Sequence, residues 1–272
     1  MDIKAFKMDG LGNDFVIVDR RKSEINLTKE QIIKIGDRNN VGFDQIIFIE
    51  KKVKDVLPIK IYNPDGIEVG ACGNGSRCIA YLISKENNQK TIKLEAQNKI
   101  LEAEILSEKL VRINMGLPEF KDNKSIPIKE GLDPRKVSID FIQKEYGNGI
   151  CVNVGNPHIV FFVKKIEDFN IETVGPQIEN HELFPEKCNV TIAQIINKNL
   201  IKVKVWERGA GLTKACGTAA CATAYAGKLN ILTENKTDIE FSTGKLSILI
   251  DENNSIHMKG PVSDIEEIKI KL

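Results

Sequence analysis

The chain has 272 residues, 42% of them hydrophobic, and its 39 basic side chains nearly balance its 38 acidic ones. This composition suits one large globular domain or two ordinary ones, and the balanced charge excludes a broad surface for nucleic acid or an anionic membrane. No apolar run approaches the roughly 18 residues of a membrane span, and the charged segment Met1 to Lys7 does not fit a secretory signal. We therefore expect a cytosolic protein whose six cysteines are thiols.

Strands outnumber helices among the predicted elements. A helix at residues 28–38 is expected behind a Thr28 cap with Gln31 three residues on, and further helices at 73–86, 172–182 and 217–229. Alternating or β-branched runs predict strands at Phe15 to Val18, Gln45 to Ile49, Ile59 to Tyr62, Thr91 to Leu94, Leu110 to Asn114, Val152 to Val154, Ile159 to Val163, Leu200 to Trp206, Asp238 to Phe241, Leu246 to Ile250 and Ser255 to Met258.

An internal repeat relates the two halves of the chain at an offset of 144 residues, the separation of Cys72 and Cys216. In both copies a predicted strand is followed by Ala-Cys-Gly and then by a run of small residues typical of a tightly packed helix. This duplication predicts two related halves at 1–118 and 119–261, with a boundary near Pro118 to Pro127 and a tail, 262–272, that packs back on the first half. We expect the functional site in the cleft between the halves.

Each repeated cysteine is predicted to lie at a helix N-terminus. Backbone N–H groups and the positive end of the helix dipole favour a thiolate there, so we expect the pKa of each thiol to fall from about 8.5 toward neutrality. A single Cys before Gly is usually a buried structural thiol, but two at equivalent positions of a repeat favour a function. The remaining cysteines lack this placement and are interpreted as core residues: Cys78, Cys151, Cys188 and Cys221.

Two opposed cysteines suit the inversion of a carbon stereocentre. Removing the α-proton of an amino acid is difficult because negative charge develops beside an existing carboxylate. Helix N-terminal amides at Gly73-Asn74 and Gly217-Thr218 can hold that carboxylate and stabilise the enolate-like state. A thiolate on one face and a thiol on the other supply the base and the acid without a cofactor.

Five ordered motifs resemble those of the diaminopimelate epimerase family, and the match extends over nearly the whole chain. The motifs are Gly10-Leu11-Gly12-Asn13-Asp14-Phe15, Tyr62-Asn63-Pro64-Asp65-Gly66, Ala71-Cys72-Gly73-Asn74-Gly75-Ser76-Arg77-Cys78, Gly155-Asn156-Pro157-His158, and Glu207-Arg208-Gly209-Ala210-Gly211 running into Ala215-Cys216-Gly217-Thr218.

The resemblance implies a pyridoxal-independent enzyme that interconverts LL- and meso-2,6-diaminopimelate on the route to lysine and peptidoglycan. It implies an α/β (α+β) fold of two pseudo-symmetric domains, each a curled, mostly antiparallel sheet around a central helix, and a homodimer. It also implies that Cys72 is the proton donor and Cys216 the acceptor in the LL to meso direction, with the roles exchanged in reverse.

Position by position, the resemblance carries over a set of substrate-binding residues: Asn13, Gln45, Asn63, Gly73, Asn74, Asn156, Asn189, Glu207, Arg208, Gly217 and Thr218. The distal end of such a substrate has a carboxylate and an ammonium. Arg208 suits the first through a bidentate bond, whereas Asn side chains can donate to one group and accept from the other. Asn63 and Asn156, each before a proline, also fit turns.

The resemblance assigns His158 and Glu207 to the pair that tunes the cysteines, although a structural His is an equally good reading of His158. The three histidines have no ligand spacing, so no metal is expected. Two departures from the family pattern bear on substrate choice: Asp9 where a His is common, and Leu212-Thr213-Lys214 where Glu-Thr-Leu is common. Neither is expected to touch a reacting group.

Three alternatives remain open. A racemase for another amino acid, of the hydroxyproline or histidine type, would use the same two cysteines. A dinucleotide-binding protein would use the glycines at 70, 73 and 75, but their spacing is not G-x-G-x-x-G and the loop is too long for the required turn. A duplicated scaffold without catalysis would bind a small molecule and show no unusually reactive thiol.

Overall fold

The structure is a computed structural model that describes residues 2–70, 72–97, 99–120, 126–142 and 147–272. The chain divides into two compact units, the first formed by Met1–Asn114 with Lys259–Leu272 and the second by Met115–Met258. The sequence placed a domain boundary within Pro118 to Pro127, and residues 121–125 of that stretch lie outside the described residues.

The first unit is a mixed sheet with two helices. Its elements are β1 (Asp2–Gly10), β2 (Asn13–Asp19), α1 (Lys29–Gly36), β3 (Gln45–Ile49), β4 (Val56–Tyr62), β5 (Glu68–Val69), α2 (Gly73–Asn87), β6 (Thr91–Ala96), β7 (Lys99–Ser107), β8 (Leu110–Gly116) and β17 (Glu266–Lys271). Strand β1 pairs antiparallel with β2 and β17, β2 runs parallel to β3, and β4 pairs antiparallel with β3 and β5 and parallel with β6. Antiparallel pairings of β6 with β7 and of β7 with β8 follow.

The second unit repeats this order of elements. They are β9 (Ile150–Asn153), β10 (Pro157–Val163), α3 (Ile171–Glu179), β11 (Asn189–Asn197), β12 (Leu200–Glu207), β13 (Gly211–Thr213), α4 (Gly217–Leu229), β14 (Lys236–Phe241), β15 (Gly244–Ile250) and β16 (Ile256–Pro261). Strand β10 runs parallel to β11, as β2 does to β3, and β11 pairs antiparallel with β12. Strand β12 pairs antiparallel with the short strand β13 and parallel with β14, as β4 does with β5 and β6. The predicted pseudo-symmetric α+β fold is confirmed.

Each unit buries one helix against its sheet. In α2 every residue from Gly73 to Ile83 is buried, and in α4 every residue from Gly217 to Gly227. A helix that is buried on all sides needs small or apolar residues all round, which is why α4 reads Gly-Thr-Ala-Ala-Cys-Ala-Thr-Ala. The first turn of each of these helices therefore lies within the protein.

Local sequence patterns predicted the positions of the helices correctly to within a few residues at each end. The Thr28–Gln31 capping box is present at α1, and the predicted bounds of α4 are those observed. The helices α1 and α3 end at Gly36 and Glu179, two and three residues earlier than predicted.

Several strands were not predicted, because their composition or their short length hides the strand pattern. Strand β7 consists largely of Lys, Leu, Glu and Ala, which favour helices, and only its pairing with β6 and β8 makes it a strand. Strands β5 and β13 are two and three residues long, too short for a periodic pattern. Strands β1, β11 and β17 were also missed.

Candidate active site

The first cysteine caps a buried helix in the first unit. Cys72 is the N-cap of α2, and its Sγ accepts a hydrogen bond from the Gly75 N–H at 3.3 Å. Cys72 is 9% exposed. Because the first N–H groups of a helix have no partners within it, the amides of Gly73 and Asn74 lie where an anion would be stabilised.

Side-chain amides of the first unit form two hydrogen-bonded pairs, one of which includes Asn74 in the first turn of α2. The Asn74 Nδ2 donates to the Asn13 Oδ1 at 3.2 Å, and the Gln45 Nε2 donates to the Asn63 Oδ1 at 3.1 Å. Four predicted binding residues of the first unit are thus joined in two hydrogen-bonded pairs. The Asn74 Oδ1 and the Gln45 Oε1 are buried without a hydrogen-bond partner within the described residues.

Asp44 contributes to this arrangement and was not anticipated. Its Oδ2 accepts from the Asn13 Nδ2 at 2.8 Å, which leaves the Asn13 Oδ1 facing Asn74. Arg38 forms ion pairs with both Asp14 and Asp44. Burial raises the pKa of Asp44, although Asn13 and the Asp14 N–H hydrogen-bond to its carboxylate. The only sequence signal was its position next to Gln45.

The second cysteine has a different environment. Cys216 is the N-cap of α4 and is 5% exposed. Its Sγ donates to the Glu207 Oε2 at 3.1 Å and lies 3.4 Å from the Thr218 Oγ1. Burial, and then the charge of Glu207, raise the pKa of Cys216 well above its usual value. The expected fall of this pKa was therefore wrong: a helix N-terminus lowers a thiol pKa only where burial and a nearby carboxylate do not outweigh it.

Glu207 and His158 have different hydrogen-bond partners. The Glu207 Oε1 accepts from the Thr213 Oγ1 at 2.6 Å. His158 is 1% exposed and its Nε2 lies 2.9 Å from the Asn156 Oδ1. Burial, with a smaller contribution from Arg208, lowers the pKa of His158 to about 3, so the imidazole is neutral. Its Nδ1 is buried and has no hydrogen-bond partner in the part of the chain that the structure describes.

Asn189 and Glu179 hold the turn that carries Arg208. The Asn189 Oδ1 accepts from the Arg208 N–H at 3.0 Å, and its Nδ2 donates to the Pro157 carbonyl at 2.8 Å. Glu179 accepts from the Gly209 N–H and, at 2.7 Å, from the indole N–H of Trp206. Sequence reasoning missed Glu179, because nothing local marks a helix-end carboxylate as a buried acceptor.

The two sequence departures lie at or next to the ends of strands β1 and β13. Asp9 accepts from the Gly12 N–H at 2.9 Å in the turn between β1 and β2. Thr213 is nearer to the chemistry than expected, because it reaches the carboxylate that accepts from Cys216. All four of the remaining cysteines are buried, as predicted.

Among the described residues there is no cluster of three or more His, Cys, Asp or Glu side chains that could hold a metal ion. No helix in the described ranges is long and apolar enough to cross a membrane.

Comparisons with known proteins match the chain from end to end. The family model described as diaminopimelate epimerase matches residues 5–121 and 150–265. The diaminopimelate epimerase of Pelagibacter ubique is 57% identical over the full length of both chains. That of Bartonella tribocorum is 37% identical, covering 94% of this chain and 91% of its own.

Solved structures share the fold at low identity. A phenazine biosynthesis protein of the PhzF family from Bacillus anthracis superposes over 100% of both chains with a TM-score of 0.71 and 16% identity. A probable proline racemase from Agrobacterium radiobacter covers 99% of this chain and 93% of its own with a TM-score of 0.70 and 13% identity. At these identities the likeness establishes the fold alone.

Proposed function

The chain belongs to the diaminopimelate epimerase family, and we propose that it inverts one α-carbon of diaminopimelate with two cysteines, Cys72 and Cys216, and no cofactor. The observation that carries this mechanism is the equivalent placement of the two thiols. Each is the N-cap of the buried helix of its own unit, at matching positions of two pseudo-symmetric halves.

In the proposed reaction one thiolate removes the α-proton and the opposite thiol delivers a proton to the other face. In the LL to meso direction Cys216 is the acceptor, and it first passes its own proton to the Glu207 carboxylate, 3.1 Å away. A thiol acts as a base only after it has lost its proton, and the Glu207 carboxylate is the acceptor within hydrogen-bond distance of the Cys216 Sγ. Cys72 then protonates the carbon, and the roles exchange in reverse.

Backbone amides and polar side chains supply the remaining interactions. The helix-start amides of Gly73-Asn74 and Gly217-Thr218 bind the reacting carboxylate, where negative charge develops. Arg208 binds the distal carboxylate. Side-chain amides bind the amino groups and the remaining polar atoms of the substrate. They belong to Asn13, Gln45, Asn63, Asn156 and Asn189.

His158 is the second member of the proposed tuning pair. Burial keeps its imidazole neutral, and its Nδ1, which has no hydrogen-bond partner within the described residues, can accept a hydrogen bond. We further propose a cytoplasmic homodimer, in line with the family resemblance, which light scattering on the purified protein would test.

A stereochemical assay in heavy water tests the mechanism. Purified protein without cofactor is incubated with LL-diaminopimelate, and the stereoisomers are separated and analysed by mass spectrometry. Early meso product should carry deuterium at the inverted carbon while unreacted substrate stays protiated, because different thiols act on the two faces. Protium in the early product would indicate a single base. Hydroxyproline and histidine serve as competing substrates, and their preferential turnover would overturn the substrate assignment.

Matched variants test the residues. Cys72→Ala and Cys216→Ala should each abolish epimerisation, since either variant leaves one face without its acid or base. Cys78→Ala and Cys221→Ala, each in the same helix as one of these cysteines, should retain it. Epimerisation at the parent rate in either of the first two variants would contradict the paired-cysteine mechanism.

A further inference from the structure

Thr213 lies next to the carboxylate that faces the second thiol. It is the last residue of β13 and lies opposite Val205 in the neighbouring strand β12, two residues before Glu207. Side chains two apart on a strand share a face of the sheet, so Thr213 and Glu207 are on the same face. The Thr213 hydroxyl donates to the Glu207 Oε1 at 2.6 Å, a short distance typical of a hydrogen bond to an ionised acceptor.

The two oxygens of Glu207 have different partners. Oε1 accepts from Thr213, while Oε2 accepts from the Cys216 Sγ. The terminal torsion of a Glu side chain is soft and is not held by steric preference alone. A donor on one oxygen therefore sets the plane of the carboxylate and directs the other oxygen at the thiol.

The first unit lacks this arrangement at the equivalent positions. With the offset of 144, Glu207 corresponds to Asn63 and Thr213 to Val69. Asn63 accepts from Gln45 instead, and Val69 has no hydroxyl to donate. The acid and the hydroxyl thus occur together in the unit where the thiol donates to a carboxylate.

We propose that Thr213 is a positioning residue, whose hydroxyl orients the Glu207 carboxylate for proton exchange with Cys216. This inference rests on the proposed two-cysteine function. The proton leaves the Cys216 Sγ for the Glu207 Oε2, and Thr213 keeps its own proton throughout. By donating to the carboxylate, the hydroxyl also favours the ionised form of Glu207, which is the form that can accept.

The test compares Thr213→Val, which removes the hydroxyl at nearly constant shape, with Thr213→Ser, which keeps it. Thr213→Val should lower kcat about tenfold to a hundredfold, the factor expected from losing one hydrogen bond to a charged group, and leave KM nearly unchanged. The acid limb of the kcat/KM profile should move to higher pH, because the ionised carboxylate has lost a donor. Thr213→Ser should restore both the rate and the profile.

Thr191→Val is the matched control. Thr191 is fully buried in β11 of the same unit, and its hydroxyl has no hydrogen-bond partner within the described ranges. This variant should behave as the parent. Thr213→Val with kcat within about twofold of the parent would overturn the proposal. Equal losses in Thr213→Val and Thr213→Ser would also overturn it, since they would indicate packing by the methyl group.

A spectroscopic measurement separates this proposal from the proposed function. The S–H stretching band of Cys216, isolated as the infrared difference between each protein and its Cys216→Ala form, reports the hydrogen bond to Glu207 without turnover. The band should move to higher wavenumber in Thr213→Val and return in Thr213→Ser. A band that moves in a protein without epimerase activity would support the positioning role while refuting the function, and an unmoved band would refute the positioning role.

Discussion

Replacement of Gly75 by Ala should damage the Cys72 site more than it damages stability. Gly75 is in the first turn of α2, where its N–H donates to the Cys72 Sγ. A Cβ at this position would lie 2.5 Å from the Ile47 Cδ1 and 3.3 Å from both the Cys72 Sγ and the Phe15 Cε1. Both Ile47 and Phe15 are fully buried, so neither can turn out to solvent.

The size of the effect follows from these contacts. Carbon atoms in good contact are about 3.5–4.0 Å apart, so either the end of the Ile47 side chain or the start of the helix must move by about 1 Å. Overpacking of this kind costs about 1–3 kcal/mol, and the better helix propensity of Ala offsets about 1 kcal/mol of it. A shift of about 1 Å in a reacting group can cost about a hundredfold in rate, so we expect a net loss of stability of about 0–2 kcal/mol with a far larger loss of kcat.

A double-mutant cycle with Ile47→Val provides the assay. This change deletes the Cδ1 atom that lies 2.5 Å from the new Cβ and alone should cost about 0.5–1.5 kcal/mol. In the Ile47→Val background, Gly75→Ala should be less destabilising in chemical denaturation and should regain at least about tenfold in kcat. Two results would refute this reasoning. One is that the effects of the two substitutions on unfolding free energy and on kcat are additive, and the other is that Gly75→Ala alone keeps the parent kcat. Either would show that the close approach of Ile47 does not explain the glycine at position 75.

Two further predictions concern the second unit. The pKa of His158 is lowered to about 3 from 6.5, so as the pH falls below 6.5 the unfolded chain takes up a proton that the folded chain does not. Relative to His158→Gln, the parent should therefore lose about 1.4 kcal/mol of unfolding free energy per pH unit below pH 6.5. Denaturant titrations at pH 7 and pH 5 measure this loss. An equal change in unfolding free energy in the parent and in the variant would contradict a buried neutral imidazole. Arg208→Leu should raise KM about tenfold to a hundredfold by removing a charged partner of the distal carboxylate. Arg135→Leu, at an exposed ion pair of the same unit, should not raise KM, and an unchanged KM in Arg208→Leu would remove Arg208 from the site.

Sequence patterns located the catalytic candidates because their signals are local. A cysteine before a run of small residues marks the start of a buried helix, and the repeat marked the second copy of that start. The state of Cys216 could not be read in this way. Its pKa depends on burial and on a carboxylate nine residues earlier in the chain, and the pairing of β12 with β13 determines how that carboxylate is held.

The missed residues share one property: their partners are distant in sequence. Asp44, just before β3, accepts a hydrogen bond from Asn13 at the start of the neighbouring parallel strand β2. Glu179, at the end of α3, accepts one from Trp206 in β12. Strand β17 likewise has its partner at the opposite end of the described chain. No periodicity within such a segment can report a contact of this kind.

The pairing of β1 with β17 has a consequence for folding of the chain during translation. Asp2 lies opposite Lys271, and residues Asp2 to Ala5 of β1 pair with β17, whereas β2 pairs with β1 only from Phe6 onward. On the ribosome, β1 is made first and β17 follows the whole of the second unit, which is contiguous from Met115 to Met258. The second unit can therefore complete its sheet while β1 still has an open edge, which is a template for unwanted pairing. Strand β1 is thus translated before the second unit but obtains its β17 partner only after it.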